Sequence, residues 1–297
     1  MQRWILVAIV VAGCSGSATS VVSQVGQLEN KNLNEASGLA RSQRSADVLW
    51  SMNDEGKALL FAFDLQGRHL GKVEIDGANN KDWEDLASFT LDGTPYLLIA
   101  DIGDNQAKRK TRRLYIVVEP KPGDKSADVA WEVTYRYAGG PRDIESIAVD
   151  TDSETVLLLS KREIPAVLYS LPLKPETDET LVAERLGTVT SLPQPSASDV
   201  QVAPKTDNWY WQPTGMDIAA DNRSALVLTY AGVYYYHRDP GQSWIEVFAK
   251  PPLGVGLNKV KKAEAICFNA SGNAAYVTVE QKHAPLLRID LSGVQTQ

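Results

Sequence analysis

Five short segments of the 297-residue chain share one pattern, a polar residue followed by alternating apolar ones. They are Ser37-Gly-Leu-Ala, Glu84-Asp-Leu-Ala, Glu145-Ser-Ile-Ala-Val, Thr214-Gly-Met-Asp-Ile and Glu264-Ala-Ile-Cys-Phe. If the fold gathers the leading residues around one axis, Ser37, Glu84, Glu145, Thr214 and Glu264 form a ring of oxygen donors. Three carboxylates held close repel and push one another's pKa upward. A hard divalent cation relieves that repulsion, and an oxygen-only ligand set suits Ca2+. Zinc is disfavoured, because the ring has neither His nor Cys. The competing arrangement pairs the carboxylates with basic neighbours, or staggers them along the axis.

A second set of residues would surround the mouth of such a ring. Asn53-Asp54, Asp101 with Asp104-Asn105, Lys161-Arg162, Tyr230 and Glu280 follow one type of strand in successive repeats. Asn79 to Asp82, Arg142-Asp143, Gln212 and Lys261-Lys262 lie in the loops before the ring residues. Over a metal, this mixture suits a phosphate ester. Lys161, Arg162 or Lys262 would hold the anion, and Asp101 or Asp54 would orient water as the base. Each Asp or Asn taken singly is also an ordinary turn-capping residue. The other function class is a non-catalytic envelope scaffold or ligand-binding module with a structural metal. Only three histidines occur, His69, His237 and His283. None falls near the ring, which argues against Ser–His–Asp chemistry.

The elements that position these residues read as strands. Helical periodicity is scarce, and short apolar or alternating runs are broken by Gly, Pro, Asn and Asp. Each ring segment is a first strand. Second strands follow at Val48-Leu-Trp-Ser, Tyr96-Leu-Leu-Ile-Ala, Val156-Leu-Leu-Leu-Ser, Ala225-Leu-Val-Leu-Thr and Ala275-Tyr-Val-Thr-Val. Third strands follow in every unit. Fourth strands are expected at Leu70-Gly-Lys-Val-Glu-Ile, Glu132-Val-Thr-Tyr-Arg-Tyr, Arg185-Leu-Gly-Thr-Val and Trp244-Ile-Glu-Val-Phe. The last unit lacks one, but Gln24-Val-Gly-Gln-Leu-Glu29 precedes the first unit and has the right character. An all-β, five-bladed β-propeller is expected, closed by this N-terminal strand in the last blade, which removes an exposed sheet edge. Six blades are the alternative and would need a unit within Leu171 to Pro213.

The ring order Ser, Glu, Glu, Thr, Glu resembles that of the calcium-dependent soluble apyrases, five-bladed propellers with an axial calcium. Thr214 stands where that family has Ser. The resemblance implies a calcium site on these five residues and a hydrolase of phosphoric esters or anhydrides. It covers the ring and blade count, not whole blades. Lys81-Asp-Trp-Glu-Asp-Leu-Ala87 with Ala100-Asp-Ile-Gly-Asp-Asn105 is similar to a signature of uncharacterised exported bacterial propeller lipoproteins.

The N-terminus explains the export. Arg3 precedes an apolar run from Trp4 to Ala12, and Val11-Ala12-Gly13-Cys14 follows. The run is too short for a permanent span and fits a secretory signal. The four residues resemble a bacterial lipobox, which implies cleavage before Cys14 and its lipidation. The expected organisation is a signal peptide at 1–13, lipidated Cys14 and linker at 14–22, and a propeller at 23–297. Multiple acyl chains anchor firmly. Ser15 would favour the periplasmic face of the outer membrane in a Gram-negative source. Cys267, the only other cysteine, has no partner for a disulfide. The net charge of −7 and a pI of about 5.1, with no long basic run, argue against nucleic acid as a partner. The expected partners are the membrane, through the anchor, and a small anionic ligand or an envelope protein.

Overall fold

In the computed structural model, residues 7–8, 21–194, 211–257, 260 and 262–293 are described. Cys14 and its cleavage point lie outside them, as do Lys261 and residues 195–210. A sixth unit would need strands in that last stretch.

A two-residue strand β1 (Val7–Ala8) pairs with β2 (Val21–Gln27). The first four-strand unit is β3 (Ala36–Arg41), β4 (Val48–Asn53), β5 (Leu59–Asp64) and β6 (His69–Asp76). The second is β7 (Trp83–Leu91), β8 (Thr94–Asp101), β9 (Arg112–Val118) and β10 (Ser126–Tyr137). The third is β11 (Ile144–Asp150), β12 (Thr155–Ser160), β13 (Ala166–Pro172) and β14 (Leu181–Val189). The fourth is β15 (Pro213–Ile218), β16 (Ser224–Thr229), β17 (Gly232–His237) and β18 (Leu253–Gly256). The last holds β19 (Ala263–Phe268), β20 (Ala274–Val279) and β21 (Pro285–Asp290). Its fourth place is taken by β2, which pairs antiparallel with β21 from Val22↔Ile289 to Gln27↔Pro285. That strand begins at Val21, two residues before the expected boundary at 23.

Burial explains the residue choice. Every residue of β16 and β20 is buried, and these second strands are mostly apolar, with only Ser224, Thr229 and Thr278 polar. Outer strands alternate, as in β6, where only Val73 and Ile75 are buried. Five apolar cores form among the described residues, each between successive units. One joins the first unit to the second through Trp50, Leu60, Leu86 and Leu97. The next links the second and third units, and the following two continue round through the fourth and last. The fifth core packs Leu39 and Leu49 of the first unit against Ala265 and Tyr276 of the last. Correspondingly, β3, β7, β11, β15 and β19 touch one another in cyclic order. On the rim, β10 also pairs parallel with β6 and with β14, stitching three outer edges together.

One strand expectation fails. Trp244-Ile-Glu-Val-Phe is not a fourth strand but contains a single helical turn, α1 (Trp244–Val247). The Glu246 carboxylate accepts the Ser243 backbone N–H at 2.8 Å and its hydroxyl at 2.7 Å. This favours a helix start over a strand. The Trp244 indole donates to Asp150 at 2.9 Å, fixing the turn inward, and Leu253–Gly256 takes the strand position.

Candidate functional site

All five ring residues occupy the same irregularity of their strands. In β3, Ala36 pairs with Asn53 and Gly38 with Met52, which leaves Ser37 between them unpaired. Glu84, Glu145, Thr214 and Glu264 are skipped in the same way. A bulge of this kind frees one residue from the ladder and re-aims its side chain. The leading polar residue of each repeat is thus the bulged residue of each inner strand.

The two hydroxyls bind the next inner strand. Ser37 Oγ donates to the Trp83 carbonyl at 2.6 Å, and Thr214 Oγ1 donates to the Ala263 carbonyl at 2.7 Å. The carboxylates divide into two settings. Glu145 forms an ion pair with the Lys161 ammonium. That ammonium donates to Tyr230 Oη at 3.2 Å, and the Tyr230 hydroxyl donates to Glu264 Oε1 at 2.7 Å. Burial would lower the Lys161 pKa, but Glu145 and Glu264 outweigh it and hold the amine charged. Burial pushes Glu145 up to about 8 against the pull of Lys161.

Glu84 has no such lysine partner. Burial, then Glu145 and Asp82, push its pKa far above the carboxylate range. Asp82 is raised to about 6, chiefly by burial, while Arg109 and a hydrogen bond with Glu84 pull it down. The two carboxyls lie under Gly103. A Cβ there would come 2.2 Å from Glu84 Oε1 and 2.4 Å from Asp82 Cγ, so any larger residue would have to displace the two carboxyls. Asp101 orients this pair, because its Oδ1 accepts the Asp82 N–H at 3.2 Å.

Beneath the ring, the buried Asp85 carboxylate accepts the N–H groups of Leu86 (2.8 Å), Ile147 (2.8 Å) and Met216 (3.3 Å). It therefore bridges three inner strands across the channel. Burial raises Asp217, one layer further, to about 7. Beside Asp85, the fully buried Ser146 hydroxyl has no partner.

The residues expected to do chemistry fall out as follows. Lys161, Arg162 and Lys262, the expected anion holders, each engage a carboxylate: Glu145, Asp143 at 2.5 Å and Glu280 at 2.8 Å. Asp101, one expected base, is buried and paired with Arg109 at 2.9 Å. Asp104 is paired with Arg112 at 2.5 Å. Asp54, the other expected base, is partly buried and is raised to about 7 by burial and then by Glu35. Asp54, Asp82 and Glu84 are left without an ion-pair partner among the described residues. The part played by Tyr230 was hinted at by its place after a second strand, the same place as Lys161. That Asp82 and Glu84 act as a pair had no separate signal in the chain.

As arranged, the ring is not the five-oxygen calcium cage expected from the sequence. Both hydroxyls are turned to backbone carbonyls, and a lysine ammonium already serves Glu145 and neighbours Glu264. Among the described residues no three His, Cys, Asp or Glu side chains converge as a metal site. With Lys161 in place and both hydroxyls turned away, this arrangement does not fit calcium.

No family model matches the chain, and no curated protein matches it. Among solved structures it is similar to the PQQ-bound aldose sugar dehydrogenase of Streptomyces coelicolor, with a TM-score of 0.50 and 10% identity over 92% of this chain and 98% of that one. It is also similar to a gluconolactonase of Xanthomonas campestris, with a TM-score of 0.49 and 10% identity over 91% of this chain and 89% of that one. At such identity the first likeness shows a β-propeller fold and nothing about substrate or cofactor.

Proposed function

We propose that this chain is an exported, lipid-anchored, five-bladed β-propeller that binds a small neutral or cationic polar ligand at the acidic side chains around its channel mouth. Five blades are supported by the cyclic contacts of the inner strands and the core between the first and last units. Closure by the N-terminal strand is supported by its pairing with β21. Lipidation at Cys14 rests on the lipobox-like residues before it.

One observation carries the ligand class. Among the described residues, Arg109, Arg112, Lys161, Arg162 and Lys262 are committed to carboxylates, whereas no ion pair engages Asp54, Asp82 or Glu84. These leftover acceptors suit an ammonium or hydroxyl group better than a phosphate ester, which needs donors. A second reading is hydrolysis of a neutral ester without metal. It is favoured by the Asp82–Glu84 pair, whose pKa values are spread apart so that one carboxyl accepts a proton while the other keeps its own.

Calorimetric titration with spermidine, a neutral sugar and inorganic phosphate tests the first reading. Spermidine or the sugar should bind and phosphate should not, and Asp82→Asn should weaken the binding about tenfold, near 1.4 kcal/mol. Phosphate binding that is insensitive to Asp82→Asn would sink it. Turnover of neutral esters lost in Asp82→Asn would establish the second reading.

A further inference from the structure

We infer that Lys161 is a built-in replacement for an axial metal ion, so that this ring works as a metal-free version of a cation-centred one. Three observations converge on it. The ring residues all sit at the bulge of an inner strand, a five-fold device for turning oxygens towards one axis. Such a ring needs a positive charge, because Glu145 and Glu264 belong to different blades yet influence each other. The charge is supplied from within the chain. Lys161 follows β12 directly, is 6% exposed, bonds Glu145, and reaches Glu264 through the Tyr230 hydroxyl.

A single ammonium carries one charge and three donors on a flexible stem. It can satisfy two carboxylates and a phenol, but not the whole ring. This accounts for what the other members do. Ser37 and Thr214 satisfy themselves on backbone carbonyls at 2.6 Å and 2.7 Å, so they no longer need a central cation. Glu84, beyond the lysine's bonds, pairs with Asp82 beneath Gly103. Lys161 also donates its backbone N–H to the Asp143 carbonyl at 3.1 Å, which holds the stem at the ring level.

Removing the ammonium should therefore uncover a calcium site. In thermal unfolding with and without millimolar Ca2+, the wild-type melting temperature should not move. Lys161→Met should melt lower without calcium and recover by about 5 °C or more when Ca2+ is near a hundred times its Kd. Adding Glu145→Gln to Lys161→Met should abolish the recovery. A wild-type protein that is stabilised by Ca2+, with the gain lost in Glu145→Gln, overturns the inference. So does a Lys161→Met protein that responds to Ca2+ no more than wild type. If Lys161→Met fails to fold in either condition, the wild-type titration and elemental analysis of protein refolded in Ca2+ decide alone. About one bound calcium per chain refutes the inference, and none upholds it.

Discussion

Two halves of one ring meet the same electrostatic problem differently. On the side of the third to last blades, Glu145 and Glu264 are served by Lys161 and Tyr230. On the side of the second blade, Glu84 and Asp82 have no ion-pair partner among the described residues and lie under Gly103. Backbone geometry is nearly repeated, down to the bulge, yet the chemistry is not. The repeat sets where side chains point, while departures from the repeat set which of them remain available. The lysine half is a structural ion pair, whose desolvation is offset by good geometry. The second half retains the protonation equilibria that a ligand or reaction can use.

The comparison breaks most readily on the lysine side. Lys161→Met should cost about 3–5 kcal/mol in urea unfolding, because it strands buried carboxylates. Gly103→Ala attacks the other half by sterics and should cost about 1–3 kcal/mol, through displacement of Asp82 and Glu84. A loss below a few tenths would mean the two carboxyls are free to move apart.

Conservative amides sharpen the contrast through opposite signs. Glu145→Gln should destabilise the fold at pH 8 by removing the partner of Lys161. Glu84→Gln should leave stability within about 1 kcal/mol or raise it, since it replaces a carboxyl whose charged form is disfavoured. Equal losses in both variants would erase the distinction.

Both halves also contribute to the pH dependence. Asp82, Asp54 and Glu145 are raised to about 6, 7 and 8. The folded state therefore binds more protons than the unfolded state above the ordinary carboxylate range. Their contribution is fully present at low pH and is lost as pH rises through those values. Unfolding free energy should decline between about pH 5 and 8, and Asp54→Asn should flatten part of that slope. A stability that rises across this window would contradict the assigned directions.

Much of the fold was legible because its signals are local. The ring residues, the second strands and the N-terminal closing strand all follow from short apolar patterns and from a missing fourth strand at the end. The misread stretch at Trp244 failed for a local reason as well. Alternation suggested a strand, but Ser243 and Glu246 form a capping arrangement that outweighs it. The site was legible in membership and not in pairing. Basic neighbours for the carboxylates were an open alternative, and Lys161 makes it real for Glu145.

By itself, the sequence determined an all-β chain of repeated units, a polar residue at the head of each inner strand, and the candidate anchor at Cys14. Only the tertiary structure decided that these residues are bulged, that Asp85 ties three inner strands together, and that one lysine serves carboxylates from two blades. The reason is physical. Strand pattern depends on neighbours in the chain, whereas charge compensation depends on which side chains meet once water has been excluded between blades.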